Sequence, residues 1–315
     1  MTHFSMFVGI DVSKDRLDVY CHPSGLAFHT PNTAEGLATL ISRTAGPSVV
    51  WGCEATGGLE NRLLIAMHNK GLPCLCLHPV DVRAFARLKG KRAKTDKIDA
   101  MMIARSLVEA SDGRKPMQRT YLQCKIKELA TLRRRLNAFH AQLSSLKALM
   151  QETDAIEAVE AVIANLEAAI KRLADTITAT ISEDEQARNR SGLIRSVPGA
   201  GKILAAELIA SMPELGTLNS KQAASLIGLA PHPRKSGKKT LPSRCQGGRN
   251  NIRRILYMAA LSAIKAKKEP FIKNYQRLRE NGKPFKVAIV AIMRKLIVTI
   301  NAVVKADKKW TIKYS

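Results

Sequence analysis

The sequence predicts a mixed α/β domain followed by a mostly helical remainder. Three observations lead to this fold class. Short apolar runs alternate with amphipathic segments near the amino terminus, a seven-residue apolar repeat occupies the middle, and apolar helical stretches punctuated by glycines form a basic carboxy-terminal part. Because 315 residues suffice for two or three compact domains, we expect a division into residues 1–110, 111–190 and 191–315.

The charge of the chain indicates a polyanionic partner. A net charge of +25 and an isoelectric point near 10.1 exceed what an ordinary metabolic enzyme carries, and nucleic acid is the simplest partner for such a surplus. Residues 191–315 contain 25 lysines and arginines against 5 aspartates and glutamates, so the basic surface belongs to this part. Aromatic residues make up only 4% of the chain, which favours contacts to phosphates over base stacking.

The cysteine pattern and the absence of targeting features predict a cytoplasmic protein. The six cysteines show no CxxC pair, and four of them lie in apolar runs, as expected of small buried side chains in a reducing compartment. No basic stretch followed by an apolar core opens the chain, so we expect no signal peptide. The apolar tract 287–304 contains Arg294 and Lys295, which predicts an amphipathic helix and no membrane span.

The amino-terminal third predicts a sheet covered by helices. Residues 7–21 predict two strands joined by a tight turn, and apolar runs at residues 26–29, 48–53 and 74–77 predict three more. Helical periodicity covers residues 34–44, 59–70, 79–87 and 101–109, with Thr33 as the expected cap of the first helix. This order of elements indicates a mixed sheet, on which carboxylates at strand ends lie near one edge.

Four carboxylates occupy such positions. Asp11 lies inside the first apolar run, Glu54 follows the strand 48–53, and Asp96 and Asp99 are spaced i, i+3 behind the helix cap Thr95. An unpaired buried carboxylate is costly, and Mg²⁺ prefers a few such hard oxygen ligands, so the set predicts a metal site. The alternative for each residue taken singly is a solvated turn or an acidic group at the positive end of a helix.

Residue by residue, this set resembles the RNase H-like superfamily and, within it, the RuvC-like nucleases with a DEDD set. The resemblance rests on Asp11 in Gly-Ile-Asp-Val-Ser-Lys, Glu54 in Glu-Ala-Thr-Gly, and Asp96 with Asp99 in Lys-Thr-Asp-Lys-Ile-Asp-Ala. It implies a RuvC-like domain in which these residues hold Mg²⁺, or Mn²⁺ in its place, for phosphoryl transfer. Glu60 is the rival for the second position, but it falls inside the following predicted helix, so we favour Glu54.

The middle of the chain predicts a long helical hairpin. Apolar residues repeat at 3-4 spacing from Leu129 to Met150, and the same spacing resumes from Ile156 to Ile177. These are a/d heptads on two consecutive helices, and a short turn between them predicts an antiparallel coiled coil. The apolar stripe could instead pair with another subunit, and its position between two domains favours oligomerisation.

The carboxy-terminal third predicts a phosphate-binding surface. The run Val-Pro-Gly-Ala-Gly-Lys at residues 197–202, followed by an apolar helix at 203–211, looks like a helix-hairpin-helix whose glycines and helix amino terminus approach phosphate; a plain turn between helices is the alternative. Downstream, Ser236 and Ser243 lie among cations that could stabilise a transition state, although a solvated basic loop has the same pattern. The expected nucleic-acid-binding residues are Gly199, Gly201, Lys202, Arg234, Lys235, Lys238, Lys239, Arg244, Arg249, Arg253 and Arg254.

Together, the DEDD set, the heptads, the Pro-Gly-x-Gly motif and the Gly-Leu-x-Pro…Ser-Gly segment resemble the "insertion sequence one-ten" (IS110) family of transposases, which includes the Piv/MooV-type DNA invertases. This resemblance implies an RNA-guided site-specific DNA recombinase. Ser236 would be the nucleophile that forms a 5′-phosphoserine, and Ser243 is the alternative. Lys235 stands where relatives often carry glutamine.

The same resemblance implies partners. They are donor and target double-stranded DNA, a structured bridge RNA, and further copies of the chain in a dimer or tetramer with composite sites; no membrane is implied. The runner-up interpretation is a Mg²⁺-dependent RuvC-like nuclease or junction resolvase without a covalent serine intermediate. A non-enzymatic nucleic-acid scaffold is a third.

Overall fold

The structure is a computed structural model that describes residues 4–90, 96–112, 116, 119–236 and 239–311. The side chains of residues 96, 97, 232–236 and 239–244 lie outside this description. The chain forms two compact units, unit 1 (Met1–Tyr121) and unit 2 (Leu122–Ser315). The division into three domains stays a prediction.

Unit 1 contains a five-stranded mixed sheet, as the sequence predicts. The strands run in the order β3-β2-β1-β4-β5; β1 is antiparallel to β2 and parallel to β4, β2 is antiparallel to β3, and β4 is parallel to β5. The elements are β1 (Met6–Val12), β2 (Arg16–His22), β3 (Ala27–Pro31), α1 (Ala34–Thr44), β4 (Val49–Glu54), α2 (Asn61–Asn69), β5 (Cys74–Leu77), α3 (Pro79–Leu88) and α4 (Asp96–Ala110).

The alternation of side chains in β1 and β4 separates two apolar cores. Val8, Ile10 and Trp51 belong to the core that also contains buried leucines of α1 and α2. Val50 belongs to the opposite core, together with Leu107 and other buried residues of α4. Because successive side chains of a strand point to opposite faces, residues 7, 9 and 11 of β1 and residues 50, 52 and 54 of β4 face α4.

The helix ends in unit 1 follow local signals in part. Thr33 caps α1 as predicted, since its Oγ1 accepts a hydrogen bond from the Gly36 backbone N–H at 3.2 Å. α4 begins at Asp96, five residues before the predicted start at Met101. The predicted cap Thr95 lies outside the described residues.

Unit 2 is mostly helical, as expected. Its elements are α5 (Tyr121–Lys147, which begins at the unit boundary), α6 (Thr153–Glu183), α7 (Glu185–Ser196), α8 (Lys202–Ser211), α9 (Ser220–Leu226), β6 (Pro231–Ser236), β7 (Lys239–Cys245), α10 (Asn250–Lys265), α11 (Phe271–Glu280) and α12 (Phe285–Ala306). The two-stranded hairpin β6–β7 was not predicted.

α5 and α6 run antiparallel over much of their length. Lys147 Nζ lies 2.6 Å from Glu160 Oε1 near the connecting turn, and His140 Nε2 lies 3.0 Å from Glu167 Oε1 about two turns further along. The predicted helical hairpin is therefore present. Its description as an oligomerising coiled coil stays a prediction.

α12 is long and apolar enough, by composition alone, to cross a membrane. Within unit 2 it supplies a buried face that includes Ile292, Leu296 and Ile300 to the main apolar core. Core helices of soluble proteins pass the same test, and packing within the unit therefore accounts for the apolar character of α12.

Candidate active site and nucleic-acid interface

The register of β1 and β4 places Asp11 beside Glu54. The parallel pairing ends at Ile10 opposite Cys53, so the next residue on each strand is Asp11 and Glu54. Both side chains are half-buried and both lie on the face that α4 covers. Two of the four predicted carboxylates therefore lie at neighbouring positions at the carboxyl ends of two adjacent strands.

Two glycines allow α4 to lie directly on these strands. A Cβ at Gly9 would lie 2.2 Å from the Ala100 carbonyl oxygen and 2.3 Å from the Ala104 backbone nitrogen. A Cβ at Gly52 would lie 2.5 Å from a methyl carbon of Leu107. Ala100 and Ala104 of α4 therefore lie over Gly9, which is two residues before Asp11 on the same face.

The third and fourth carboxylates are in the first turn of α4. Asp99 immediately precedes Ala100, the residue whose carbonyl contacts β1, and its side chain is half-buried. Asp96 is the first residue of the helix, and its side chain lies outside the described part of the structure. Among the side chains that are described, no group of three or more histidines, cysteines, aspartates or glutamates lies close enough to hold a metal ion.

Glu60, the rival of Glu54, is bound within the protein. It is 2% exposed, and its Oε2 accepts hydrogen bonds from Thr56 N–H (3.2 Å), the Thr56 hydroxyl (2.9 Å) and Gly58 N–H (2.8 Å). Arg119 Nη1 lies 3.6 Å from its Oε1. Burial raises the pKa of Glu60, but these hydrogen bonds and Arg119 outweigh it, so the pKa lies below its ordinary value. Glu60 precedes the first residue of α2 and anchors the loop that follows Glu54.

A further carboxylate, which the sequence analysis does not predict as part of the site, lies beside Asp11. Asp18 on β2 is directly opposite Asp11 in the antiparallel register, and Arg16 Nε lies 2.9 Å from its Oδ2. Directly opposed like charges destabilise a sheet unless a cation lies near them. The alternation of apolar residues in β2, which puts Asp18 on the same face as Asp11, was the available signal.

The two candidate serines lie on the β6–β7 hairpin of unit 2. Ser236 is the last residue of β6 and pairs with Lys239, the first residue of β7, whereas Ser243 lies within β7. The side chains of both serines lie outside the described residues, as do those of Arg234, Lys235, Lys239 and Arg244, and Lys238 lies outside them altogether. The backbone therefore places Ser236 at the end of a strand, and the role of either serine stays a prediction.

The base of this hairpin is held by two glycines. Gly228 and Gly248 have φ of +76° and +69°, and a Cβ at Gly248 would lie 2.2 Å from the Gly228 backbone nitrogen. Arg253 Nη1 donates to the Gly247 carbonyl at 2.7 Å. The chain before and after the hairpin thus packs backbone against backbone, which fixes where the hairpin begins and ends.

The predicted nucleic-acid-binding residues fall into two groups. Lys202 and Arg254 are exposed. Arg249 is used within unit 2, because its guanidinium donates to both carboxylate oxygens of Glu214 at 2.7 and 2.9 Å and to the Ser211 carbonyl at 2.7 Å. Arg253 is likewise engaged at the hairpin base. Contacts from either arginine to nucleic acid stay a prediction.

The two glycines of the predicted phosphate-binding turn differ in their surroundings. Gly199 has φ of +89°, and a Cβ there would lie 2.7 Å from the Cβ of Ala263 on α10, so glycine is needed for the fold. Gly201 is exposed, and a Cβ there would meet nothing within 4 Å. It precedes α8, and it offers no side-chain cap to the first turn of that helix.

Comparison with known proteins identifies the class as transposases. Residues 8–155 match the family model of DEDD transposases of IS110 type, and residues 191–276 match the model of the transposase IS116/IS110/IS902 family. The two matches cover the sheet and DEDD positions of unit 1 and the hairpin serines of unit 2. The chain belongs to the IS110 family of transposases.

Relatives extend along nearly the whole chain. It is 26% identical to the pilin gene-inverting protein of Moraxella bovis and 28% identical to that of Moraxella lacunata, each over 325 aligned positions that cover 96% of both chains. It is also 30% identical to an IS116 insertion-element protein of Streptomyces clavuligerus over 133 positions, which cover 42% of this chain and 33% of that protein. As a member of this family, the chain is an enzyme of DNA transposition or recombination.

Proposed function

We propose that this protein is an RNA-guided, site-specific DNA recombinase that cuts and rejoins strands through a serine ester. The observation that carries the proposal is the register that puts Asp11 and Glu54 at neighbouring positions at the carboxyl ends of β1 and β4, on the face that α4 covers. The strand order and directions of the sheet are consistent with an RNase H-like, RuvC-like domain. In such a domain, carboxylates at this edge act on phosphodiesters.

The donor set fits a hard divalent cation. Asp11, Glu54, Asp96 and Asp99 offer only carboxylate oxygens, which Mg²⁺ prefers and Mn²⁺ also accepts. Asp18, opposite Asp11 on β2, is a further carboxylate near this set and is paired with Arg16. When bound, the ion would stabilise negative charge on the phosphoryl oxygens during strand cleavage.

Ser236 is the proposed nucleophile. Its Oγ attacks the phosphorus of the scissile phosphodiester and loses its proton, an O–P bond forms, and the P–O3′ bond breaks. The 3′ oxygen takes up a proton, and the 5′ phosphate stays esterified to the serine. A later 3′-hydroxyl reverses the step on the new strand, so no external energy source is required. The position of Ser236 at the end of β6 supports this role, because the chain before and after the hairpin is fixed by the packing of Gly228 against Gly248.

The partners follow from charge and from the family. Residues 191–315 supply the cationic surface for the phosphates of donor and target duplexes. A structured bridge RNA would select the sequences by base pairing, while the protein contacts backbone and shape. Carboxylates from one protomer and Ser236 from another would complete a composite site in a dimer or tetramer.

Trapping of a covalent protein–DNA adduct tests the serine mechanism. Wild-type protein would be incubated with Mg²⁺, DNA labelled at the junction flanking the gene, and the transcript of the adjacent non-coding DNA, and then analysed on a denaturing gel. We expect an adduct that is absent from Ser236→Ala and present with Ser243→Ala.

Other outcomes separate the alternatives. Mg²⁺-dependent cleavage by Ser236→Ala with no adduct would establish the metal-dependent nuclease instead. An adduct that disappears with Ser243→Ala and persists with Ser236→Ala would transfer the role to Ser243.

A further inference from the structure

A cavity of about 220 Å³ lies between α6, α7 and the first residue of α8, within unit 2. It is separate from the β6–β7 hairpin and is not lined by the glycines of the 197–201 turn. The residues that line it are Ile177, Thr178, Ile181, Ser182, Arg188, Ser191, Gly192, Arg195 and Lys202. None of the family motifs that led to the proposed function includes Arg188, Ser191, Gly192 or Arg195.

The charged side chains that line the cavity are positive. Arg188, Arg195 and Lys202 line it and all three are exposed, and among the described residues no carboxylate lines it. The Arg188 guanidinium is held in place because its Nη1 donates to the Ser182 carbonyl at 3.0 Å. Lys202 begins α8, whose amino-terminal end carries a partial positive charge and has no side-chain cap. Three cations around one cavity repel one another unless an anion lies between them.

Two small residues line the cavity from α7. Gly192 is in the interior of a helix, where glycine is unfavourable, yet its φ is ordinary and a Cβ there would meet nothing within 4 Å. Ser191 is 9% exposed and lines the same cavity. The open space over Gly192 and the hydroxyl of Ser191 are what an external oxyanion would use.

We infer that this cavity binds one phosphodiester of a nucleic-acid backbone, at a point distinct from the scissile phosphate. Arg188, Arg195 and Lys202 neutralise its charge, the Ser191 hydroxyl donates to one of its oxygens, and Gly192 leaves room for its approach. The inference rests on the proposed function, because it requires that nucleic acid is the partner of unit 2. The site positions the nucleic acid and carries no sequence information.

A charge-neutral substitution tests the cavity without altering the basic surface. Gly192→Leu fills it with a good helix former, and Gly192→Ala is a milder variant with little risk to folding. We expect the Tm of both variants to equal or exceed that of the wild type, while Gly192→Leu binds labelled nucleic acid about tenfold more weakly at ~100 mM salt. Gln186→Leu is the matched control, since it adds the same side chain to α7 outside the cavity and should leave affinity unchanged.

A second arm measures the number of phosphates contacted. Arg188→Gln with Arg195→Gln should lower the slope of log K against log salt by about one, because one phosphate contact is lost. Lys171→Gln with Arg172→Gln on α6 removes the same charge outside the cavity, and a smaller change of slope is expected. Fluorescence anisotropy with a labelled DNA duplex and a labelled RNA hairpin shows which backbone occupies the site.

The outcomes separate this inference from the proposed function. If the wild type binds neither probe in a salt-dependent manner, the proposed nucleic-acid function fails and the phosphodiester site fails with it. If the wild type binds, and the cavity variants bind as the two control variants do, the phosphodiester site alone is refuted. A loss confined to the duplex, or confined to the hairpin, supports the site and identifies its ligand.

Discussion

Glu54 and Glu60 lie at the two ends of the loop between β4 and α2, and their surroundings differ. Glu54 ends β4 beside Asp11, whereas Glu60 is buried against Thr56, Gly58 and Arg119. A carboxylate that already accepts three hydrogen bonds has little capacity left for a metal ion. The hydrogen-bond donors around each glutamate therefore decide whether its carboxylate can bind a metal ion or only stabilises the fold.

Substitution of each glutamate separates the two roles. Glu60→Gln should lower the free energy of unfolding by about 1.5–3 kcal/mol, because charge-assisted hydrogen bonds to a buried carboxylate are lost. Glu54→Gln should leave the Tm near that of the wild type and abolish Mg²⁺-dependent strand cleavage. Thermal unfolding followed by circular dichroism, together with a cleavage assay, checks both variants. Stable Glu60→Gln protein without cleavage activity would reverse the two assignments.

The lowered pKa of Glu60 predicts a pH dependence of the same effect. A carboxylate whose folded-state pKa lies below its unfolded value stabilises the fold above the unfolded pKa, and this contribution is lost as pH falls through the folded pKa. The difference in Tm between wild type and Glu60→Gln should therefore be largest near neutral pH and shrink below about pH 4, since the unfolded value for Glu is about 4.3. A difference that stays constant from pH 7 to pH 3 would contradict the assigned ionisation.

Helix α4 owes its position to the absence of side chains beneath it. The Ala100 carbonyl and the Ala104 nitrogen occupy the space that a Cβ at Gly9 would need, and Leu107 occupies the space above Gly52. Close packing of helix on strand fixes the position of Ala100, the residue after Asp99, over Gly9 of β1. We therefore expect the position of Asp99 relative to Asp11 to depend on this packing.

Gly9→Ala should move α4 away from the sheet. The added methyl overlaps backbone atoms that cannot rotate away, so we expect a loss of about 1–3 kcal/mol in the free energy of unfolding and a loss of cleavage greater than the loss of folded protein. Gly46→Ala is the matched control, because a Cβ there would make only ordinary contacts at 3.5 Å or more. Denaturant unfolding and cleavage per folded molecule would be measured, and a fully active Gly9→Ala would show that the separation of α4 from β1 does not matter.

Across the whole molecule, the parts with periodic patterns were predictable from the sequence. The sheet of unit 1 follows from alternating apolar residues, and α5 and α6 follow from the 3-4 repeat. The β6–β7 hairpin did not, because Pro231, Pro233 and Pro242 and a run of lysines hide any alternation.

Ion pairs between residues far apart in the sequence could not be predicted either. Arg249 is a basic residue next to a glycine pair and was predicted to bind nucleic acid, but its bidentate partner Glu214 lies 35 residues earlier in the chain. The relative positions of the candidate site residues could be predicted only where the residues lie at the ends of neighbouring strands. Ile10 opposite Cys53 implies Asp11 beside Glu54, whereas nothing in the sequence pairs Arg249 with Glu214.

Mn²⁺ binding followed by electron paramagnetic resonance tests most directly whether the carboxylates of unit 1 form one metal site. The wild type should bind Mn²⁺ saturably, and Mg²⁺ should compete. Asp11→Asn, Glu54→Gln and Asp99→Asn should each abolish or strongly weaken this binding, while Glu60→Gln, measured at a temperature where it is folded, should retain it. Saturable binding that survives the loss of Asp11 and Glu54, or that disappears only with Glu60, would contradict the account.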